Sequence, residues 1–194
     1  RNLELVSNIR ERSEEGTLVG TIDLTCSPMG RRLIRRWMTA PLRSVSAINR
    51  RLDAVEFFTL QTPVRQDVRS HLHRFADLER IAGRIAYGNA SPRDLVTFCA
   101  AADSAGSIRM VLEKAGELPG GLGEAANEIA DLNEVVTLIR GAIVDDPPVL
   151  IRKGGVIRDG YNDELDRLRL ISRDGRQWIA DLEQQEKEKT GIKS

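Results

Sequence analysis

The chain has 194 residues, of which 41% are hydrophobic, 30% charged and only 4% aromatic; that suffices for one ordinary domain, or a core with an extension, built mainly on aliphatic side chains. Lysine plus arginine and aspartate plus glutamate are equal at 29 each, so net charge gives no sign of a nucleic-acid or membrane partner and leaves only charge distribution to attract one. No uninterrupted apolar run reaches the roughly 18 residues that span a bilayer, and the isolated Cys26 and Cys99 predict two reduced thiols in an intracellular protein.

Leu3 and Leu5 alternate with polar residues, which predicts a short extended segment near 2–6. From Thr17 the pattern turns helical, beginning with a turn or two in TLVGTIDL. Ser27 then stands as an N-cap with Pro28 at the first helical position, where a missing N–H costs nothing. Leu33, Ile34, Trp37 and Met38 fall on one face of that helix, with Arg31, Arg32, Arg35 and Arg36 mostly off it. Val45, Ile48, Leu52, Val55 and Phe58 repeat the spacing in the next helix. Thr62-Pro63 and Asp77 open two shorter ones. Ser91-Pro92-Arg93-Asp94 combines a cap, a proline at the first position and an acid in the first turn, predicting a helix to about Ala115 that ends at Gly116.

PGGLG at 119–123 reads as a loop. A helix over ANEIADLNEVVTLIRGAIV follows, with Ile129, Leu132, Val136, Ile139 and Ile143 towards the core. Pro147 and Pro148 stop it, and VLIRKGGVIR reads as a short extended crossing near 149–158. Asn162 or Asp163 then caps a helix to about Thr190, on the order of 40 Å long. Leu165, Leu168, Ile171, Trp178 and Leu182 form its stripe, and Gly175 occupies a further stripe position at a cost of roughly 1 kcal/mol relative to Ala. Beyond Leu182 the helix has no apolar face. The expected fold is all-α: a helical core over 1–161 and a long protruding helix over 162–194. A start at Arg1 without Met and an end straight after a charged helix suggest a piece of a longer protein.

No catalytic constellation stands out. His71 and His73 are two apart and point to different sides of a helix, so they cannot share a metal. Lys153-Gly154-Gly155 lacks the GxxxxGK[ST] context of a phosphate loop and reads as a turn. Arginines 31, 32, 35, 36, 43, 50 and 51 make the densest basic cluster. Without interleaved aromatics they read as a solvated face pairing with Asp53 and Glu56 rather than as phosphate contacts. Asp145, Asp146, Asp159, Asp163, Glu164 and Asp166 have no metal-loop spacing, and helix-start electrostatics account for Asp163 and Glu164. Trp37 and Trp178 read as packing anchors.

The motifs carry the reading further. RNLEL at 1–5, SPMGRRLIRRWMTAPL at 27–42, DLERIAGRIAYGNASPRDL at 77–95, DDPPVLIRKGGVIRDGYNDELDRLR at 145–169 and WIADLEQQEKEKTGIKS at 178–194 resemble the DNA mismatch-repair family MutS, in that family's order and across the whole chain. The resemblance is to the central core and the ascending half of the lever region, with the clamp domain beginning about where the chain stops. It implies a parent protein that is a homodimer, binds mismatched duplex DNA, uses ATP and Mg as a DNA-dependent ATPase, works with a MutL-type partner and acts in the cytoplasm at the nucleoid. It implies no catalytic, cofactor or metal residue here, since the family's mismatch-probing Phe-x-Glu and Walker elements match nothing in this chain. Pro147, Pro148, Gly154, Gly155, Gly160 and Asn162 would form a structural hinge between core and lever. Lys187, Lys189 and Lys193 near the far end would come nearest to nucleic acid. The competing reading is a free-standing helical protein–protein interaction module that uses the Leu165–Leu182 stripe.

Overall fold

A computed structural model describes residues 4–8 and 13–190, with the backbone alone at 176, 177, 180, 183 and 186–190. It is all-α, and the described residues contain no strand. The chain forms two compact units, Arg1–Arg140 and Gly141–Ser194.

In the first unit, α1 (Leu18–Ile22) follows a tight polar knot. The Thr17 hydroxyl donates to the Glu14 carbonyl at 2.6 Å and accepts from the Gly20 amide at 3.0 Å. The chain passes so close that a Cβ on Gly20 would lie 2.3 Å from the Glu14 carbonyl oxygen, a distance only glycine avoids. Next come α2 (Pro28–Thr39), capped by the Ser27 hydroxyl, and α3 (Val45–Leu60), capped by Ser44. The helices α4 (Thr62–Leu72) and α5 (Leu78–Ala86, capped by Asp77) match the expected short pair. The best-specified start is that of α6 (Pro92–Lys114). There the Ser91 hydroxyl accepts from the Asp94 amide at 3.2 Å, and the Asp94 carboxylate accepts from the Ser91 amide at 2.9 Å, a complete capping box. Gly116 follows the end of α6 at φ +90°, a left-handed conformation that stops the helix.

α6 is the spine of this unit and packs against α4, α5 and α7 (Gly120–Asn127). Its Ile108 and Leu112 join Ala126 in one buried cluster, packed by Phe58, Val64, Val68, Leu72, Phe75, Leu118, Leu122 and Ile129. Cys99 and Ala102 join Val136 of α8 (Asn133–Ala142) in a second, with Phe98, Leu132 and Ile139. These contacts explain why α6 is long and apolar enough to cross a membrane by length and composition, although no uninterrupted apolar run does so. Its buried apolar residues, Cys99, Ala102, Ile108 and Leu112, face other helices of the same unit, while Met110 is exposed.

Two expectations for this unit need correction. PGGLG is not a loop: Pro119 opens α7, and its carbonyl accepts from the Leu122 and Gly123 amides at 2.8 Å each. Burial of Ala126 and partial burial of Leu122 outweigh the helix cost of three glycines. The predicted single helix after it is two, because Asp131 turns its side chain onto the Asn133 amide at 2.9 Å and restarts the chain at α8. The α3 stripe is also largely uncovered: Val45, Leu52 and Val55 are more than half exposed, and only Phe58 reaches the core.

In the second unit the stretch expected to be extended near 149–158 contains a 3-10 turn at Ile151–Lys153. Its extended part is limited to an antiparallel bridge between Ile143 and Ile157. Glycines at 154 and 155 break up the run before it can pair further. Residues 2 and 3 lie outside the described residues, and 4–6 contain no strand. The last helix, α9 (Asp163–Thr190), has 28 residues.

Candidate functional site

The junction that launches α9 holds three of the six glycines with positive φ among the described residues. Gly154, Gly155 and Gly160 have φ of +71°, +74° and +82°, the left-handed region that favours glycine. No atom lies within 4 Å of a Cβ built on any of the three, so conformation rather than crowding requires glycine there. Pro147 is fully buried and Pro148 half-buried. The bridge is closed by the Val144 amide on the Val156 carbonyl at 3.0 Å and the Arg158 amide on the Ala142 carbonyl at 2.8 Å. Arg158 also reaches Asp145 at 2.5 Å.

The helix start is held on several sides. The Asn162 side-chain oxygen accepts from the Leu165 amide at 2.9 Å, an N-cap, and the Asp166 carboxylate reaches back to the Gly160 amide at 2.6 Å. Arg169 donates to the Ile157 carbonyl at 2.8 Å, Asp159 at 2.8 Å and Asp166 at 3.1 Å. One guanidinium therefore ties the second turn of α9 to both the bridge and the loop. Its planar fork can satisfy several acceptors at once, which a lysine cannot. Asn162, Gly154, Gly155 and Gly160 were expected at this junction. Arg169, Asp166 and Arg158 were not, although the i,i+3 spacing of Asp166 and Arg169 is a readable helix-pair signal.

The other sequence-flagged residues are dispersed. Four of the seven clustered arginines form ion pairs, but not with Asp53 and Glu56. Arg31 reaches Glu14 at 2.5 Å and Asp23 at 3.6 Å, Arg32 bonds Asp77 and Glu79, Arg35 pairs with Glu14, and Arg50 pairs with Glu124. Arg51 stacks 3.6 Å over the Trp37 ring, so that tryptophan is a cation–π platform rather than a buried anchor. These partners lie 8 to 74 residues away along the chain, most of them beyond the reach of local spacing. Arg32 holds the Asp77 carboxyl below its ordinary range, and the Ser91 amide and hydroxyl, aided by Arg84, do the same for Asp94. Burial pushes the Cys99 thiol up; it and Cys26 are both unbridged.

His71 is half-buried in the last turn of α4, and His73 is its exposed cap. Among the described residues no three His, Cys, Asp or Glu side chains gather as metal ligands. Trp178 is 66% exposed and anchors nothing within its unit. An open groove of about 550 Å³ lies along α6. Its charges are spent on one another and on the backbone: Asp103 pairs with Arg140, and Arg109 bonds Glu113 and the Ile129 carbonyl. Lys193 lies outside the described residues, as do the side chains of Lys187 and Lys189.

Residues 1–190, which include the helical body, the junction and the final helix, match the family model of MutS domain III. The chain belongs to the MutS domain III family. It is 45% identical over 196 residues to the DNA mismatch repair protein MutS of Methanosarcina mazei, 43% over 199 residues to that of Methanococcoides burtonii and 43% over 194 residues to that of Salinibacter ruber. Each match covers 100% of this chain but only 21% or 22% of the relative. The MutS segment described here thus spans about a fifth of those proteins' length.

Proposed function

We propose that this MutS segment is the noncatalytic core and lever of a longer DNA mismatch-repair protein, passing motion between an ATPase part and a DNA-clamp part. The observation that carries this reading is the MutS domain III match over residues 1–190. The core occupies 1–161 and the lever 162–194. In the parent, ATP and Mg drive a DNA-dependent ATPase, a homodimer binds mismatched duplex, and a MutL-type protein acts downstream, at the nucleoid in the cytoplasm. ATP and Mg have no fitting site among this chain's described residues: no phosphate-loop sequence occurs and no metal-ligand group converges. Lys187, Lys189 and Lys193 are the lever positions nearest to DNA in this reading.

The junction supplies the means. Pro147, Pro148, Gly154, Gly155, Gly160 and Asn162 set the direction in which α9 leaves, and Arg169 clamps its base. A stiff helix amplifies a small rotation at one end into a large displacement at the other. In the full-length protein, Gly154→Val and Gly160→Val place a β-branched residue at positive φ. They should reduce ATP-triggered sliding on end-blocked mismatched duplex more than they reduce mismatch affinity. Unchanged sliding by a fully folded variant would sink the proposal.

A further inference from the structure

The sequence has two Asp-Gly steps, Asp159–Gly160 and Asp174–Gly175, and no Asn-Gly step. An Asp-Gly step can rearrange its own backbone, because glycine has no Cβ to shield its amide nitrogen from the preceding side chain. The glycine nitrogen bonds to the aspartate Cγ, and its proton leaves with one carboxyl oxygen as water. Water then opens the resulting five-membered succinimide at either carbonyl. Opening at Cγ restores aspartate. Opening at the backbone carbonyl carbon gives isoaspartate, which has the same mass and one more carbon in the main chain.

The fold treats the two steps differently. Gly175 lies inside α9, so its amide is committed to the Ile171 carbonyl four residues back, and closing the ring there breaks the helix. Asp159–Gly160 lies in the turn before α9, with Gly160 at φ +82° and no atom within 4 Å of a Cβ built on it. The Asp159 side chain is 94% exposed, so water reaches it freely. Two contacts nevertheless restrain the step. The Gly160 amide donates to the Asp166 carboxylate at 2.6 Å, a charge-assisted bond that turns the attacking nitrogen towards α9. Arg169 holds the Asp159 carboxylate at 2.8 Å while also bonding Asp166 and the Ile157 carbonyl. Ring closure requires both restraints to break.

We propose that Asp159–Gly160 is a site of isoaspartate formation in this chain, and that Asp166 and Arg169 hold the reaction back. The product lengthens the main chain by one carbon directly before the turn that sets the direction of α9, and it displaces the Gly160 amide from Asp166.

The test follows the folded 194-residue chain for weeks at neutral pH and body temperature, with isoaspartate located by peptide mapping and electron-transfer fragmentation. Position 159 should react at least about tenfold faster than position 174, because a turn opens more readily than a helix interior. In urea the two rates should agree within about twofold, the fold no longer separating them. Asp166→Ala should speed the reaction at 159 about fivefold, the worth of one hydrogen bond, and Arg169→Met by a similar factor. Asp166→Asn keeps an acceptor oxygen and should stay within about twofold of the parent. Asp159→Glu, whose longer side chain cannot close the five-membered ring, should give no product at this position. Absence of isoaspartate at 159 from the parent and from both accelerating variants would overturn the proposal. So would equal rates at 159 and 174 in the folded chain, or an Asp166→Ala variant that reacts no faster than the parent.

Discussion

Pro92–Lys114 and Asp163–Thr190 are both long helices that begin on a polar cap, yet they are stabilised in different ways. The first buries Cys99, Ala101, Ala102, Ser104, Ile108 and Leu112 among its neighbours. The second leaves its apolar residues half exposed and is held at its base by hydrogen bonds that Asn162 and Asp166 accept and Arg169 donates. Helix propensity alone rarely sustains a helix in water, so the source of tertiary support decides what each can do. Packing on several sides fixes α6 as a rigid spine. A base tied at one end gives α9 a defined direction.

Matched leucines put the comparison to the test. Leu112 is 4% exposed within a cluster of side chains, so Leu112→Ala should cost about 2–5 kcal/mol in urea unfolding. Leu168→Ala, at a position 53% exposed, should change the stability of the monomer by no more than about 0.5 kcal/mol. Similar losses at the two sites would mean that α9 is packed as tightly as α6.

A smaller effect separates the caps. Ser91→Ala removes the hydroxyl that caps α6 and should cost about 1 kcal/mol at neutral pH. Ser91 also helps to hold the Asp94 carboxyl below its ordinary range. A depressed carboxyl adds stability above its unfolded value of about 4 and loses it as pH falls through the folded value. The gap between variant and parent should therefore narrow on acidification below about pH 4. Unfolding curves at neutral and acid pH check it; a gap that widens in acid would assign Asp94 a different partner.

Much of this architecture was legible because the cues are local. Ser27-Pro28, Asp77 and Ser91-Pro92 announce their helices within three or four residues. The left-handed positions at Gly116 and Gly160 likewise fall where a helix must stop or a turn must be freed. What was misread depends on distant partners. α7 forms despite its glycines because Leu122 and Ala126 find Ile108 and Leu112 across the unit. Arg32 reads in the sequence as pairing with Asp53 and Glu56, whereas the fold brings Asp77 and Glu79 to it. At the junction the glycines and the Asn162 cap could be read directly, whereas Arg169 acquires its role only when Ile157 and Asp159 fold back beside it.

The difference between a packed spine and a helix held at its base is tested most directly by native-state hydrogen exchange on Arg169→Met, compared with the unmodified chain. The account predicts faster exchange across Leu165–Ser172, the turns that Arg169 clamps, with protection of Cys99–Leu112 in α6 unchanged. Equal loss of protection in α6 and α9, or none in either, would contradict it.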